Sequence, residues 1–225
     1  ALPWVLLVVL VTAALRAGYG IKALVIACNT ATAAAVHLLR AEHPDLPIVG
    51  VEPALKPAVG LSTTHHIGVM ATRGTLGSAK FAALLASLAG LATFTLQACD
   101  GLADAIERQE TSKVIALCDQ YTLGMGAFGT QNGQIDTLVL GCTHYPFAAE
   151  CLQAHAGPQV RLIDTGEPVA RHTHQLLQTR HIPLQPAGTA SEHADAHPAL
   201  LTLVSSGPPQ VLQAAAARWL GLALP

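Results

Sequence analysis

A strand that ends on a cysteine occurs twice in this chain. Ile21-Lys22-Ala23-Leu24-Val25-Ile26-Ala27-Cys28-Asn29-Thr30 is matched 114 residues later by Ile135-Asp136-Thr137-Leu138-Val139-Leu140-Gly141-Cys142-Thr143-His144. Each copy is an apolar run that stops at a small residue, a thiol and a hydroxyl. That pattern reads as a buried parallel strand feeding the N-terminus of the next helix. In open α/β sheets, ligands bind outside the carboxyl ends of such strands. The repeat continues past the cysteines, because Val49-Gly50-Val51-Glu52-Pro53-Ala54 echoes Ile163-Asp164-Thr165-Gly166-Glu167-Pro168 with one residue inserted. The chain therefore reads as two similar halves, each delivering one thiol.

The pattern between the repeats alternates strands with helices. Strands are expected at Ala23 to Ala27, Ile48 to Val51, Ile67 to Ala71, Thr93 to Leu96, Ile135 to Leu140 and Val160 to Ile163. Helices are expected at Thr30 to Ala41, Ser78 to Leu88, Leu102 to Arg108, Ser112 to Tyr121, Pro146 to Ala154 and Val169 to Gln178. Alternation at this spacing implies right-handed βαβ units and parallel sheet, an α/β fold. From His181 to Pro198 the composition turns to loop. Leu200 to Val204 reads as one more strand, and Ser206-Gly207-Pro208-Pro209 opens a last helix that runs to Leu220.

Composition excludes several function classes. Twelve Lys and Arg against fourteen Asp and Glu leave a formal charge of -2, with no basic patch for nucleic acid. Eleven His form no metal-ligand spacing, and no metal is expected. Five Cys without a CxxC pair argue for a reducing compartment, hence a cytoplasmic protein, and against a disulfide framework. Ala1 to Leu15 carry no charge, but a spanning helix needs roughly 20 apolar residues. The first charge, Arg16, follows the apolar run where a secretory signal would place it ahead, so no membrane partner is expected.

Two thiols at equivalent strand ends suit a reaction that needs an acid on one face of a carbon and a base on the other, as in a racemase or epimerase. An α-hydrogen is a very weak acid, so its removal needs a base in contact and a stabilised carbanion. A free thiol is only a few per cent ionised at pH 7, and a helix N-terminus or a histidine increases that share. Thr30, Thr143 and the amides after each cysteine are placed to hold an α-carboxylate at positive helix ends, and His144 to protonate or orient Cys142. Thr72-Arg73-Gly74-Thr75 follows a strand and is either a helix cap or a set of carboxylate-binding hydroxyls. The ordinary alternative for a single strand-end cysteine is a small hydrophobe, and Cys99, Cys118 and Cys151 are read that way. For Glu107 it is a solvated surface carboxylate, and for His144 a helix-capping residue.

Ala27-Cys28-Asn29-Thr30-Ala31, Gly50-Val51-Glu52-Pro53, Leu140-Gly141-Cys142-Thr143-His144-Tyr145-Pro146 and Asp164-Thr165-Gly166-Glu167 together resemble bacterial glutamate racemases of the aspartate/glutamate racemase superfamily. The resemblance runs from about Leu15 to the end and includes Ser205-Ser206-Gly207 and Arg218-Trp219-Leu220-Gly221. It implies cofactor-independent interconversion of L- and D-glutamate for peptidoglycan synthesis, with Cys28 and Cys142 working on opposite faces of Cα. It also implies substrate contacts at Asn29, Thr30, Thr72, Thr75, Thr143 and His144. His144 becomes the partner of Cys142, and Glu107 a carboxylate near that second cysteine. The implied fold is two flavodoxin-like α/β domains related by pseudo-symmetry with the site between them. The first domain would be residues 1–91 plus 172–225, and the second 92–171. The expected partner is a small molecule, glutamate, and a homodimer is left open.

The family opens with a strand leading into Asp-Ser-Gly and carries a later Pro-Tyr-Gly loop, and neither motif occurs upstream of Cys28. The expectation is an incomplete first domain with an unpaired sheet edge. Ala1 to Leu15 would be either a shifted-frame remnant or a short apolar helix that partly plugs the gap. Two alternatives to the glutamate racemase stand: a catalytically impaired racemase-like scaffold or binding protein, and a racemase for aspartate or another amino acid.

Overall fold

The computed structural model describes residues 2–182 and 202–222. The chain divides into two compact units, Ala1–Ile182 and Pro183–Pro225. In the first, helices α1 (Leu2–Tyr19), α2 (Asn29–Glu42), α3 (Leu55–Leu61), α4 (Arg73–Leu76), α5 (Ala79–Ala86), α6 (Leu102–Glu107), α7 (Thr111–Met125), α8 (Ala149–Ala156) and α9 (Gly166–Thr179) alternate with six strands. These are β1 (Leu24–Ile26), β2 (Ile48–Gly50), β3 (His66–Ala71), β4 (Thr93–Ala98), β5 (Thr137–Gly141) and β6 (Arg161–Ile163). All six expected strands form, and every described ladder is parallel.

The strands make two sheets. β1 pairs with β2, and β4, β3, β5 and β6 lie in that order in the other. β3 belongs by sequence position to the expected first segment of residues 1–91, yet it is hydrogen-bonded between β4 and β5. The physical reason is its length and apolarity: Ile67, Val69, Met70 and Ala71 are fully buried, which suits an interior parallel strand. Sheet membership therefore changes between β2 and β3. Further along, α9 returns to pack against β2.

Each sheet has its own core. Leu39, Val36, Ala35 and Ala31 of α2 close over Ile26 and Ile48, joined by Val8 and Val9 of α1. α1 is thus a helix packed on α2. Its Leu6, Leu7, Leu10 and Val11 face solvent. No described helix is long and apolar enough to cross a membrane. β1 remains an edge strand, with Val25 40% exposed. The second core joins Leu55 and Ala58 of α3 and Phe81 of α5 to Ile67, Val69 and Val139 of the larger sheet.

Local chemistry explains the element boundaries. Ser78 Oγ caps α5 by accepting Phe81 N–H at 3.1 Å. α8 stops at Gly157, whose φ of +94° a side chain would strain. The segment expected as one helix from Pro146 to Ala154 starts as a 3-10 turn, Tyr145–Ala148, before α8. The short helices α3 and α4 have no clear periodicity in the sequence and were not expected. In the second unit, α10 (Pro209–Leu220) begins at a proline and ends on Gly221 with φ +64°. The expected strand from Leu200 to Val204 does not form over its described part, Thr202 to Val204, which has no ladder partner; Leu200 and Leu201 lie outside the described residues. The loop expected from His181 to Pro198 falls outside them from residue 183 onward.

A buried carboxylate ties the start of β5 to the turn before β3. Asp136, 5% exposed, accepts hydrogen bonds from Ser62 Oγ at 2.6 Å, Thr63 N–H at 2.6 Å, Thr63 Oγ1 at 2.8 Å and Thr64 N–H at 3.0 Å. Burial alone raises a carboxyl pKa, but these donors outweigh it and hold Asp136 well below the usual carboxylate range. Its pKa is therefore lower folded than unfolded, so its stabilisation is complete above about pH 4 and declines as pH falls below that. Urea denaturation from pH 7 to pH 3 is expected to show that decline. Asp136→Asn should cost about 2–4 kcal/mol at pH 7 and flatten the acid limb.

Candidate functional site

The two repeated strand ends converge. At the first, Cys28 leaves β1 in extended geometry, with φ −152° and ψ 120°, and forms the N-cap of α2. Its Sγ accepts Ala31 N–H at 3.5 Å, so the thiol sits on the positive end of the helix. At the second, Gly141 closes β5. A Cβ there would lie 2.9 Å from Met70 O and 3.0 Å from Ala71 Cβ, so only glycine lets β5 run this close to the end of β3. Cys142 follows, 9% exposed. Across the gap, Thr143 Oγ1 donates to Ala27 O at 3.1 Å, joining residues adjacent to the two thiols.

The second thiol carries a relay. Cys142 Sγ lies 3.9 Å from His144 Nδ1, and His144 Nε2 lies 2.8 Å from Glu107 Oε2 at the end of α6. Burial pushes the Cys142 thiol up from its ordinary value, the backbone N–H groups of His144 and Tyr145 pull it down, and the proximity of Cys28 raises it again. Burial thus favours the thiol form of Cys142, with an imidazole beside it. Such an arrangement delivers a proton to a carbanion, or takes one once substrate reorganises the charges.

A second polar group lies beside Cys28. Thr30, Thr72 and Thr75 bring their Oγ1 atoms into a triangle with sides of 2.9, 3.1 and 3.1 Å. Gly74 makes room for it, since a Cβ there would stand 3.1 Å from Thr30 Cγ2. Asn29 is 5% exposed, and both polar atoms of its amide are buried without a hydrogen-bond partner. A buried amide left unpaired costs about 1–3 kcal/mol, and binding sites tolerate that cost because a ligand repays it. Asn29 also lines a small cavity with Val51, Glu52 and Thr75.

Every site residue expected from the sequence is described. Hydrogen bonds join Cys142, His144 and Glu107 in one chain, Thr143 to the Cys28 turn, and Thr30 to Thr72 and Thr75. Asn29 has no partner to join it to either group. Cys99 and Cys118 are buried, with burial raising Cys99 to about 12 and Cys118 still further. Both behave as packing residues, and Cys151 is half-buried on α8. Among the described residues no three His, Cys, Asp or Glu gather as metal ligands. Sequence reading did not single out two residues that shape the site, Gly141 and Tyr145. Tyr145 is fully buried with its hydroxyl donating to Cys99 O at 3.3 Å. Gly141 alone carried a signal, as a glycine directly before a strand-end cysteine.

Comparisons with known proteins identify the family. The Asp/Glu/Hydantoin racemase family profile matches residues 3–173. Glutamate racemase of Ralstonia nicotianae is 49% identical over 176 residues, covering 77% of this chain and 61% of that protein. That of Stutzerimonas stutzeri is 48% identical over 164 residues, covering 72% and 61%. The chain thus spans about three fifths of the length of these curated relatives. Among solved structures, Escherichia coli glutamate racemase in complex with L-glutamate and the activator UDP-MurNAc-ala superposes with a TM-score of 0.67 at 30% identity, covering 78% of this chain and 65% of that one. The RacE1 isoform of Bacillus anthracis glutamate racemase reaches 0.76 at 28% identity, covering 98% and 77%. With its two strand-end thiols in one place and the profile running through both, this chain belongs to the Asp/Glu/Hydantoin racemase family.

Proposed function

We propose that this chain carries out cofactor-independent, two-thiol racemisation of glutamate, interconverting the L and D enantiomers and supplying D-glutamate for peptidoglycan in the cytoplasm. The observation that carries the reading is the Thr143–Ala27 hydrogen bond, which brings the Cys28 and Cys142 turns against each other from two different sheets. The sheet of β1 and β2 supplies one thiol and the four-stranded sheet the other. The choice of glutamate is supported by the relatives at 48–49% identity and by the L-glutamate held in the Escherichia coli structure.

In this reading the substrate lies between the two thiols. Asn29, with its unpartnered amide, and the Thr30, Thr72 and Thr75 hydroxyls receive its polar groups, and the amides after each cysteine face the α-carboxylate. One thiolate removes the α-proton while the opposite thiol donates its own to the other face, which inverts the centre and exchanges the roles of the two sulfurs. His144 holds or returns the proton of Cys142, and Glu107 fixes the orientation of the ring. The carbanion is stabilised by the donors around its carboxylate, an electrostatic contribution that fixed amides supply without reorganisation.

The decisive experiment is α-proton exchange in deuterium oxide followed by NMR, with L-glutamate, D-glutamate and L-aspartate offered separately. Deuterium is expected to enter glutamate from both enantiomers. Cys28→Ala and Cys142→Ala should each abolish inversion, while exchange of a single enantiomer without inversion can persist. Inversion at the parental rate in both variants would refute the two-thiol reading. No exchange from a folded parent would leave a binding scaffold in its place.

Glu107→Gln keeps the shape of the relay and removes its charge. The expected loss in kcat is about 10- to 100-fold, read by circular dichroism of the glutamate enantiomers. Burial raises the Cys142 thiol, so in the unliganded chain its alkylation by iodoacetamide should rise with pH at a midpoint above that of a free thiol, about 8.5. A midpoint at or below that of free cysteine would contradict the buried-thiol ground state.

A further inference from the structure

The end of β1 is held from two sides. On the side of the second thiol, Thr143 takes the carbonyl of Ala27. On the other side, Thr32 is 1% exposed; its hydroxyl donates to Ile26 O at 3.2 Å and accepts Val51 N–H at 3.0 Å. Ile26 O also accepts the N–H of Cys28 at 2.8 Å, and the carbonyl of Cys28 accepts Thr32 N–H at 2.9 Å. One residue therefore holds the peptide run 26–28 through both its hydroxyl and its amide.

This is not the usual arrangement of a threonine in a helix, where the hydroxyl bonds back to a carbonyl three or four residues earlier. Here it leaves the helix, reaches a strand carbonyl six residues back and takes an amide just past the end of β2. Gly50 leaves the necessary space, since a Cβ there would lie 2.4 Å from Thr32 Cγ2. Two residues beyond Val51, Pro53 Cγ would be 3.4 Å from a Cβ on Gly141, the residue before Cys142. The segment that Thr32 holds through Val51 thus continues to Pro53, which stands near the backbone of Gly141 at the turn of the other thiol.

We propose that Thr32 is a positioning residue for Cys28, its hydroxyl clamp setting where the first thiol stands relative to Cys142. The catalytic part of this inference rests on the racemase reading above. The structural part, that the hydroxyl of Thr32 determines the setting of the Cys28 thiol, does not.

Two variants test it. Thr32→Val keeps the shape and removes the hydroxyl; Thr32→Ser keeps the hydroxyl. Urea denaturation reports folding, kcat and KM for each enantiomer report catalysis, and peptide-resolved mass spectrometry reports iodoacetamide labelling of Cys28 against Cys142 in the same sample. In folded Thr32→Val, kcat is expected to fall about 10- to 100-fold with KM changed less than about 3-fold. The labelling ratio should move about 3-fold or more, and Thr32→Ser should return both readouts to the parent. A folded Thr32→Val with parental kcat and parental ratio overturns the proposal, as does a folded Thr32→Ser as impaired as Thr32→Val.

If Thr32→Val does not fold, Gly50→Ala replaces it, pressing on Thr32 while leaving the hydroxyl in place. A changed labelling ratio there supports the clamp, and an unchanged one overturns it. If the parent itself fails to racemise glutamate, the kcat comparison falls with the racemase reading, and the labelling ratio alone decides the role of Thr32.

Discussion

Everything at this site depends on two strand ends from different sheets being held against each other. The Thr143–Ala27 hydrogen bond marks that junction, and its effect comes from what each strand end carries. A parallel strand that turns into a helix presents amide N–H groups at the helix start, and a cysteine placed at that turn meets them directly. Cys28 does so through Ala31 N–H and Cys142 through the amides of His144 and Tyr145. Duplicating the motif gives two equivalent thiols. Joining the turns brings the two strand ends together.

The packing behind each turn explains how the pair stays in place. Gly141 lets β5 approach β3 closely, and Gly50 makes room for Thr32, so small residues stand where the backbone or a clamp needs the volume. Asp136 gathers the turn before β3 onto the start of β5, and β3 is fixed at the centre of its sheet by full burial. Beside this four-stranded sheet, the sheet of β1 and β2 is short and keeps an exposed edge at Val25. Its cohesion comes from α2 closing over Ile26 and Ile48 with α1 alongside.

The two thiols are not electrostatically alike. Cys142 is buried and its ionisation is disfavoured, yet it alone has an imidazole and a carboxylate arranged behind it. Cys28 stands at a helix N-cap without a titratable partner among the described hydrogen bonds. The pair is thus asymmetric: the backbone N–H groups of His144 and Tyr145 oppose the burial of the second sulfur, and the His144 ring and Glu107 stand behind it.

The sequence by itself determined the strands, their parallel sense and the two cysteine turns, because a short run of branched apolar residues ending on a small residue and a thiol is a local pattern with few other solutions. It also marked Thr72 and Thr75 as hydroxyls after a strand and His144 as the neighbour of Cys142. Other features depend on residues far apart in the chain, and only the tertiary structure decided them. The apolar run of β3 marks it as an interior strand, but that its neighbours are β4 and β5 no local signal expresses. The pairing of Glu107 with His144 spans 37 residues and that of Thr143 with Ala27 spans 116, so the relay and the junction exist only once the sheets meet. The role of Thr32 was hidden for the same reason: in sequence it is one more small residue in an alanine-rich helix, and its partner Val51 lies on the next strand exit, brought within reach by the βαβ turn.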